Sequence, residues 1–168
     1  MYKEFSCVIY SATFDVIYPV WNDKLWPGRK SKIESRSSLY WNPSSWYEWG
    51  NVSLTKKKDL IWQFEPTFYC AQARNEIIAV NSGFRTDNDI YRSRGLWVDP
   101  KYRGRGLSTI MLERTIDQAR REKCKYIWTM PRENAVPAYE KVGIKQIGNK
   151  WFDEQVEFGP NCLSVLKL

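Results

Sequence analysis

Two periods of hydrophobic and polar positions alternate along this chain, and the switches between them mark its elements. Phe5 to Tyr10 is rich in strand formers and predicts a first strand. Phe14, Ile17, Val20, Trp21 and Leu25 then recur at helical spacing, which predicts a helix from Ala12 to about Trp26. Trp26-Pro27-Gly28 and the basic run Arg29-Lys30-Ser31-Lys32 break it. From Ile33 to Asn51 the pattern mixes Ser, Trp and Tyr, room for a second short helix and a loop. Thr67–Ala73 and Ile77–Phe84 read as a hairpin around Arg74-Asn75, and Ile90–Val98 as the next strand. Leu112, Ile116 and Ala119 line one face of a helix from Leu107 to about Glu122. A short buried strand at Tyr126–Met130, a helix at Val136–Val142 and strands at Ile144–Ile147 and Cys162–Leu168 complete the chain.

The resulting order, β-α-(α)-β-β-β-α-β-α-β-β, fits 168 residues folded as one domain over 1–168. A hydrophobic content of 43% excludes a disordered chain. No secretory leader is visible at the start and no stretch is long enough to span a bilayer, so the expected setting is cytoplasmic. The chain contains no histidine, and Cys7, Cys70, Cys124 and Cys162 are scattered. Cys/His zinc centres and histidine-based triads are thereby excluded, and no metal is expected. There are 26 Lys+Arg against 19 Asp+Glu, and Trp21, Trp26, Trp41, Trp46 and Trp49 cluster early. Such a basic, aromatic-rich surface can bind nucleic acid by phosphate contacts and stacking, although tryptophans mostly build core.

Chemistry concentrates at Trp97-Val-Asp-Pro-Lys-Tyr-Arg-Gly-Arg-Gly-Leu-Ser108. A strand end, a Pro-marked turn and two glycines lead into a helix. Glycines at such a corner let backbone approach a ligand, and the helix start offers unpaired N–H groups and positive dipole. Arg103 and Arg105 add charge, so a phosphate-bearing ligand is expected. The Walker loop and the Gly-x-Gly-x-x-Gly fingerprint both fail on spacing, since Thr109 follows where a third glycine is required.

Arg103-x-x-Gly106-x-Ser108 resembles the pyrophosphate-binding signature of the GNAT superfamily of acyl-CoA-dependent N-acetyltransferases, with Ser108 in place of its final Gly or Ala. Downstream, Asn134-Ala-Val-Pro-Ala-Tyr-Glu-Lys-Val-Gly-Ile144 resembles the family's Tyr-Glu-Lys-x-Gly-Phe segment, with Asn134 two residues closer to Tyr139 than usual. The resemblance implies an α/β (α+β) fold: a mixed, strongly twisted sheet of about seven strands and about four helices, with strands four and five splayed. It implies acetyl-CoA as donor, Leu96, Trp97 and Val98 beside the pantetheine, and Arg103, Gly104, Arg105, Gly106, Leu107 and Ser108 around the pyrophosphate. Asn134 either bonds the pantetheine or caps the following helix.

Direct acyl transfer to an amine needs a polarised carbonyl, a deprotonated amine and a proton for the leaving thiolate. Tyr139 is the candidate general acid, against the plainer role of a packing tyrosine. No general base is readable: Ile90–Val98 lacks a carboxylate, and Asp87, Asp89 and Glu133 read as solvated turn charges. A water-mediated base or an already neutral amine remains open. The acceptor, a small-molecule, protein or peptide amine, would meet Trp21–Trp49 and Lys150–Pro160. Their aromatic residues suit a cationic amine by cation–π contact, whereas Arg29-Lys30-Ser31-Lys32 suits an anionic acceptor such as an acidic protein segment or an aminoacyl-tRNA. The rival reading is a catalytically weak CoA- or nucleic-acid-binding module on the same fold, monomer or homodimer.

Overall fold

The computed structural model describes residues 6–43, 52–53, 57–153 and 157–168. Phe5, most of the second half of the Ile33–Asn51 stretch, and residues 154–156 of the expected acceptor region lie outside them. Strand β1 covers Val8–Ala12, and helix α1 covers Phe14–Val20. The single helix predicted over Ala12–Trp26 is in fact divided. Pro19 sits inside it without an N–H to donate, and the chain continues in a wider π-type turn, Trp21–Leu25, closed by Trp26 N–H donating to Trp21 O at 2.7 Å. In place of the second helix begun at Ile33, a short strand β2 (Tyr40–Trp41) pairs antiparallel with β3 (Val52–Ser53). One helical turn, α2, follows at Lys58–Ile61.

Strands β4 (Thr67–Ala73) and β5 (Glu76–Asp87) form the expected hairpin. Arg74 and Asn75 have φ of 50° and 63°, the pair of positive values that a tight two-residue turn needs to match strand twist. Strand β6 is Ile90–Val98, helix α3 is Leu107–Arg121 and strand β7 is Tyr126–Thr129. Helix α4 (Val136–Glu140) and strands β8 (Lys145–Gln146) and β9 (Ser164–Lys167) finish the chain. These strands form one mixed seven-stranded sheet in the order β1-β4-β5-β6-β7-β9-β8. Only β6 and β7 are parallel, which follows from the α3 crossover that joins them.

Both faces of the sheet are covered. Helix α3 buries Leu107, Met111, Leu112, Ile116 and Ala119 on one face. Its Thr115 and Ser93 of β6 both accept from Asn81 Nδ2 at 2.9 Å, fixing helix to sheet through a buried polar contact. On the other face Ile17, Val20 and Trp21 pack with Phe68, Cys70, Val80 and Trp97.

Two irregularities of β6 shape everything around the site. It pairs with β7 only through Ile90↔Tyr126, Tyr91↔Ile127 and Arg92↔Trp128; beyond Arg92 the fourth and fifth strands of the main sheet separate, the expected splay. On its other edge, Val80 faces Trp97 and Ser82 faces Arg94, so Gly95 and Leu96 together oppose Asn81 as a β-bulge. Gly95 has φ +80°, and its carbonyl accepts from Trp21 Nε1–H at 2.9 Å. A Cβ there would fall inside the Trp21 indole. Gly95→Ala therefore combines left-handed backbone strain with overpacking. We expect it to lower unfolding stability by about 3 kcal/mol, read as the shift in a urea midpoint.

Candidate functional site

The corner after β6 is built from local hydrogen bonds. Asp99 accepts the Lys101 N–H at 2.9 Å and holds one 3-10 turn, Pro100–Tyr102. Arg103 is extended, and its Nε donates back to Val98 O at 3.2 Å, laying its guanidinium across the strand end. Gly104 and Gly106 both take φ +79°, a conformation that side-chain-bearing residues rarely adopt, and α3 starts at Leu107. A Cβ added to either glycine would meet no atom within 4 Å, so the space before the first turn of α3 is open. That turn leaves its leading N–H groups without intrahelical partners, and the helix is long enough for its dipole to favour an anion there.

From this corner a cavity of about 720 Å³ runs along β6 and into the gap left by β7. Leu96, Trp97, Val98, Arg103, Gly104, Gly106, Leu107, Ser108, Asn134 and Tyr139 all line it. Arg105 does not: it lies over the Tyr102 ring, 5.5 Å from its centroid. Asn134 sits in a 3-10 turn, Glu133–Ala135, ahead of α4. It does not cap that helix, because Ala135 occupies the cap position and no side chain bonds there. Asn134 thus lies one residue before the cap position, even though its spacing to Tyr139 is shortened.

Tyr139 is buried at 5% exposure at the cavity wall. Burial pushes its phenol up to about 12, against a hydrogen bond with Thr129 and the nearby charges of Arg92 and Arg132, which pull it down. The phenol therefore keeps its proton at any physiological pH.

The remaining wall is cationic. Arg29, Arg92, Arg94, Arg103 and Arg132 line the cavity against one carboxylate among the described residues, Glu157. Arg92 and Arg94 alternate along β6 and, with Trp97, project from its α1 side. Both are at least nine-tenths buried, and burial holds both guanidinium groups below their ordinary range, that of Arg92 to about 10. The aromatic faces here are already covered. Arg92 lies 4.7 Å from the Trp128 centroid, and Arg94 lies 5.0 and 4.9 Å from Trp21 and Trp26. Arg29 takes the same Trp26 ring at 4.7 Å, and Arg132 lies over Phe158 at 5.3 Å. Of the rings expected to receive a cationic amine, Trp21, Trp26 and Phe158 are thus engaged by the protein's own cations. Glu157 is held at the rim by the N–H groups of Lys30 and Ser31, each at 2.8 Å; the Ser31 hydroxyl above all, and then those N–H groups, keep its carboxyl below the usual range.

With this geometry in view, the comparisons are decisive for the family. The sequence model of the Acetyltransferase (GNAT) family matches residues 35–144. The chain belongs to the GNAT family. Its general chemistry is therefore acyl transfer from coenzyme A thioesters. No curated protein matches the sequence. Among solved structures, a GNAT family acetyltransferase from Elizabethkingia anophelis with acetyl-CoA bound is 19% identical, with a TM-score of 0.56 over 96% of this chain and 98% of that one. An acetyltransferase from Streptococcus agalactiae 2603 is 18% identical, with a TM-score of 0.58 over 96% and 98%. A GNAT acetyltransferase from Staphylococcus aureus Mu50 is 13% identical, with a TM-score of 0.59 over 96% and 99%. Identities this low bear on the fold alone.

Arg92, Arg94, Arg132 and Asn161 are cavity residues that the sequence reading did not single out. A signal for two of them was present: Arg-Ser-Arg in the middle of an otherwise apolar central strand buries charge, which a chain rarely does without use. The open glycine corner generates a direct test. Gly106→Trp is expected to weaken acetyl-CoA binding at least about tenfold by calorimetry, a loss of roughly 1.4 kcal/mol. Gly106→Ala carries the same backbone strain with little bulk and should lose much less.

Proposed function

We propose that this protein, as one domain over residues 1–168, transfers an acetyl group from acetyl-CoA to a primary amine by direct attack in a ternary complex. The observation that carries this reading is the single cavity joining the open Gly104–Ser108 corner to Tyr139 and the arginine-lined end. Arg103, Gly104, Gly106, Leu107 and Ser108 would hold the pyrophosphate, with Arg105 adding charge from outside the lining. Leu96, Trp97, Val98 and Asn134 would flank the pantetheine, the unpaired edge of β6 offering backbone groups from Ser93 to Val98. Direct transfer is favoured because no cysteine lines the cavity among the described residues, so no thiol is placed to carry the acetyl group. The four free cysteines fit a reducing, cytoplasmic setting, and no described helix is long and apolar enough to cross a membrane.

The step balances with this chain's own groups. The amine nitrogen attacks the thioester carbonyl carbon, free N–H groups of β6 polarise the carbonyl oxygen, and the carbon–sulfur bond breaks. Tyr139 gives its proton to the departing sulfur and is reprotonated from solvent; the amine's proton leaves to water. Among the described residues the only lining carboxylate, Glu157, is held at the rim by Lys30 and Ser31. Instead, the arginines disfavour an ammonium beside them and lower the pKa of the bound amine.

Acetyl-CoA-dependent release of CoA thiol, with mass detection of the acetylated amine, tests the reaction itself. Tyr139→Phe should lower kcat about 100-fold while leaving the KM for acetyl-CoA within about twofold. If kcat is unchanged, Tyr139 is a packing residue. The pH profile supplies a separate check. The acid limb of kcat/KM should move with the free pKa of each acceptor amine, and that of kcat should lie below it. No alkaline limb should appear below about pH 10, because the phenol holds its proton beyond that point.

A further inference from the structure

The acceptor end of the cavity is built around unmet hydrogen-bonding groups of opposite kinds. Arg92 is 7% exposed, stands where β6 and β7 part, and has Nε and Nη1 without any hydrogen-bond partner. Its guanidinium lies over the face of Trp128, and among the described residues no carboxylate forms an ion pair with it. A buried unpaired cation is destabilising, and an arriving anion would relieve that penalty. Arg94 stands two residues on from the same face, held between Trp21 and Trp26 with Nη1 donating to Glu34 O at 2.9 Å. Those rings and that bond fix its orientation rather than neutralise its charge. Across the gap, Asn161 Nδ2 donates to Met130 O at 2.6 Å, and its buried Oδ1 accepts from nothing. A ligand completing this end must therefore accept hydrogen bonds at one point and donate at another.

A second, smaller cavity extends the same charge. Arg29, Lys32, Arg36, Lys58 and Arg94 line it with Glu34, and Arg94 is shared between the two. Negative charge is favoured on both sides of Arg94. Because Arg92 lies so deep, the anion must sit at the end of a small molecule.

On the acetyltransferase reading above, we infer that the acceptor is a small amine carrying its own oxyanion, a carboxylate or a phosphate, which Arg92 binds with Arg94 beside it while Asn161 Oδ1 accepts from the amine. Arg92 is then the residue that sets acceptor specificity. Its guanidinium fork matches either oxyanion, and a lysine, with no planar fork, would serve less well.

The test uses the full chain with acetyl-CoA and a panel of free α-amino acids and aminoalkyl phosphates, each beside a neutral partner: the amino-acid amides and the corresponding amino alcohols. Acetylation of an acidic amine should exceed that of its neutral partner roughly 100-fold in kcat/KM. Comparing the carboxylate and phosphate arms identifies which oxyanion is used. Arg92→Met should erase that preference, raising the KM of acidic acceptors and, with one arginine fewer to disfavour the ammonium, lowering kcat for acidic and neutral amines alike; Arg92→Lys should restore part of the preference, and acetyl-CoA affinity should stay within twofold in both, which also reports that they fold. Equal turnover of acidic and neutral amines, or a preference that survives Arg92→Met, overturns the proposal. Calorimetric titration of the same acidic amines into the protein with CoA keeps the two readings apart. Arg92-dependent binding without any transfer would retain the anion site and sink the transferase reading; transfer without acidic preference would do the reverse.

Discussion

The Trp21 indole lying on Gly95 is the contact on which the rest of the site depends. It joins the π-type turn after α1 to the bulge of β6, with Nε1–H donating to the Gly95 carbonyl. Only a glycine lets the ring come that close, and Gly95 takes the left-handed backbone of a glycine-type bulge. The bulge adds a residue to β6 without reversing its faces, so that Arg94 and Trp97 keep to one side across it. Were the bulge absent, Trp97 would turn toward α3 and the α1 face would lose its partner. The same contact thus holds the wall expected to face the pantetheine and the wall carrying the arginines in one register.

Above that frame, the cavity shows how Arg92 and Arg94 are kept inside the fold with no ion pair among the described residues. Each buried guanidinium has an aromatic face: Trp128 for Arg92, Trp21 and Trp26 for Arg94. A desolvated contact of this type is worth about 2 kcal/mol, enough to orient the group and too little to replace the hydration it has lost. Of the early tryptophans, Trp21 and Trp26 are therefore neither plain core nor a cage for a ligand's ammonium. They are the scaffold that keeps positive charge in place and available.

Much of this fold could be read from the chain itself. The β4–β5 hairpin, β6 to its first and last residues, and α3 follow from long, regular patterns with clear turn chemistry at Arg74-Asn75 and at Gly104–Gly106. The glycine corner and Tyr139, which the family resemblance singled out, line one cavity. What escaped was decided by partners distant in sequence. Tyr40–Trp41 is a strand only because Val52–Ser53 lies beside it, and the helix after β1 changes its winding at a position where Trp21 must reach Gly95. Asn134 reads as a cap from residue type alone, and the length of one 3-10 turn removes it from that position. Arg92 and Arg94 were visible in the strand, but which face they share depends on where the bulge falls, and that is set by Asn81 and Trp21 rather than by their neighbours.

The lack of a carboxylate on β6 looks at first like a missing general base. Taken with the charge of the cavity, it has a different meaning. A carboxylate at Arg92 or Arg94 would neutralise the site and draw in an ammonium that then had to be deprotonated. Two guanidinium groups instead favour the neutral form of a bound amine, and the same sign of charge stabilises the oxyanion that develops on the carbonyl during attack. On the proposed mechanism Tyr139, kept protonated by burial, supplies the proton at the other end of the step. On the proposed mechanism the arginines do electrostatically what a base would do by proton transfer. The site then needs an acceptor whose own negative charge offsets the repulsion its amine meets on entry.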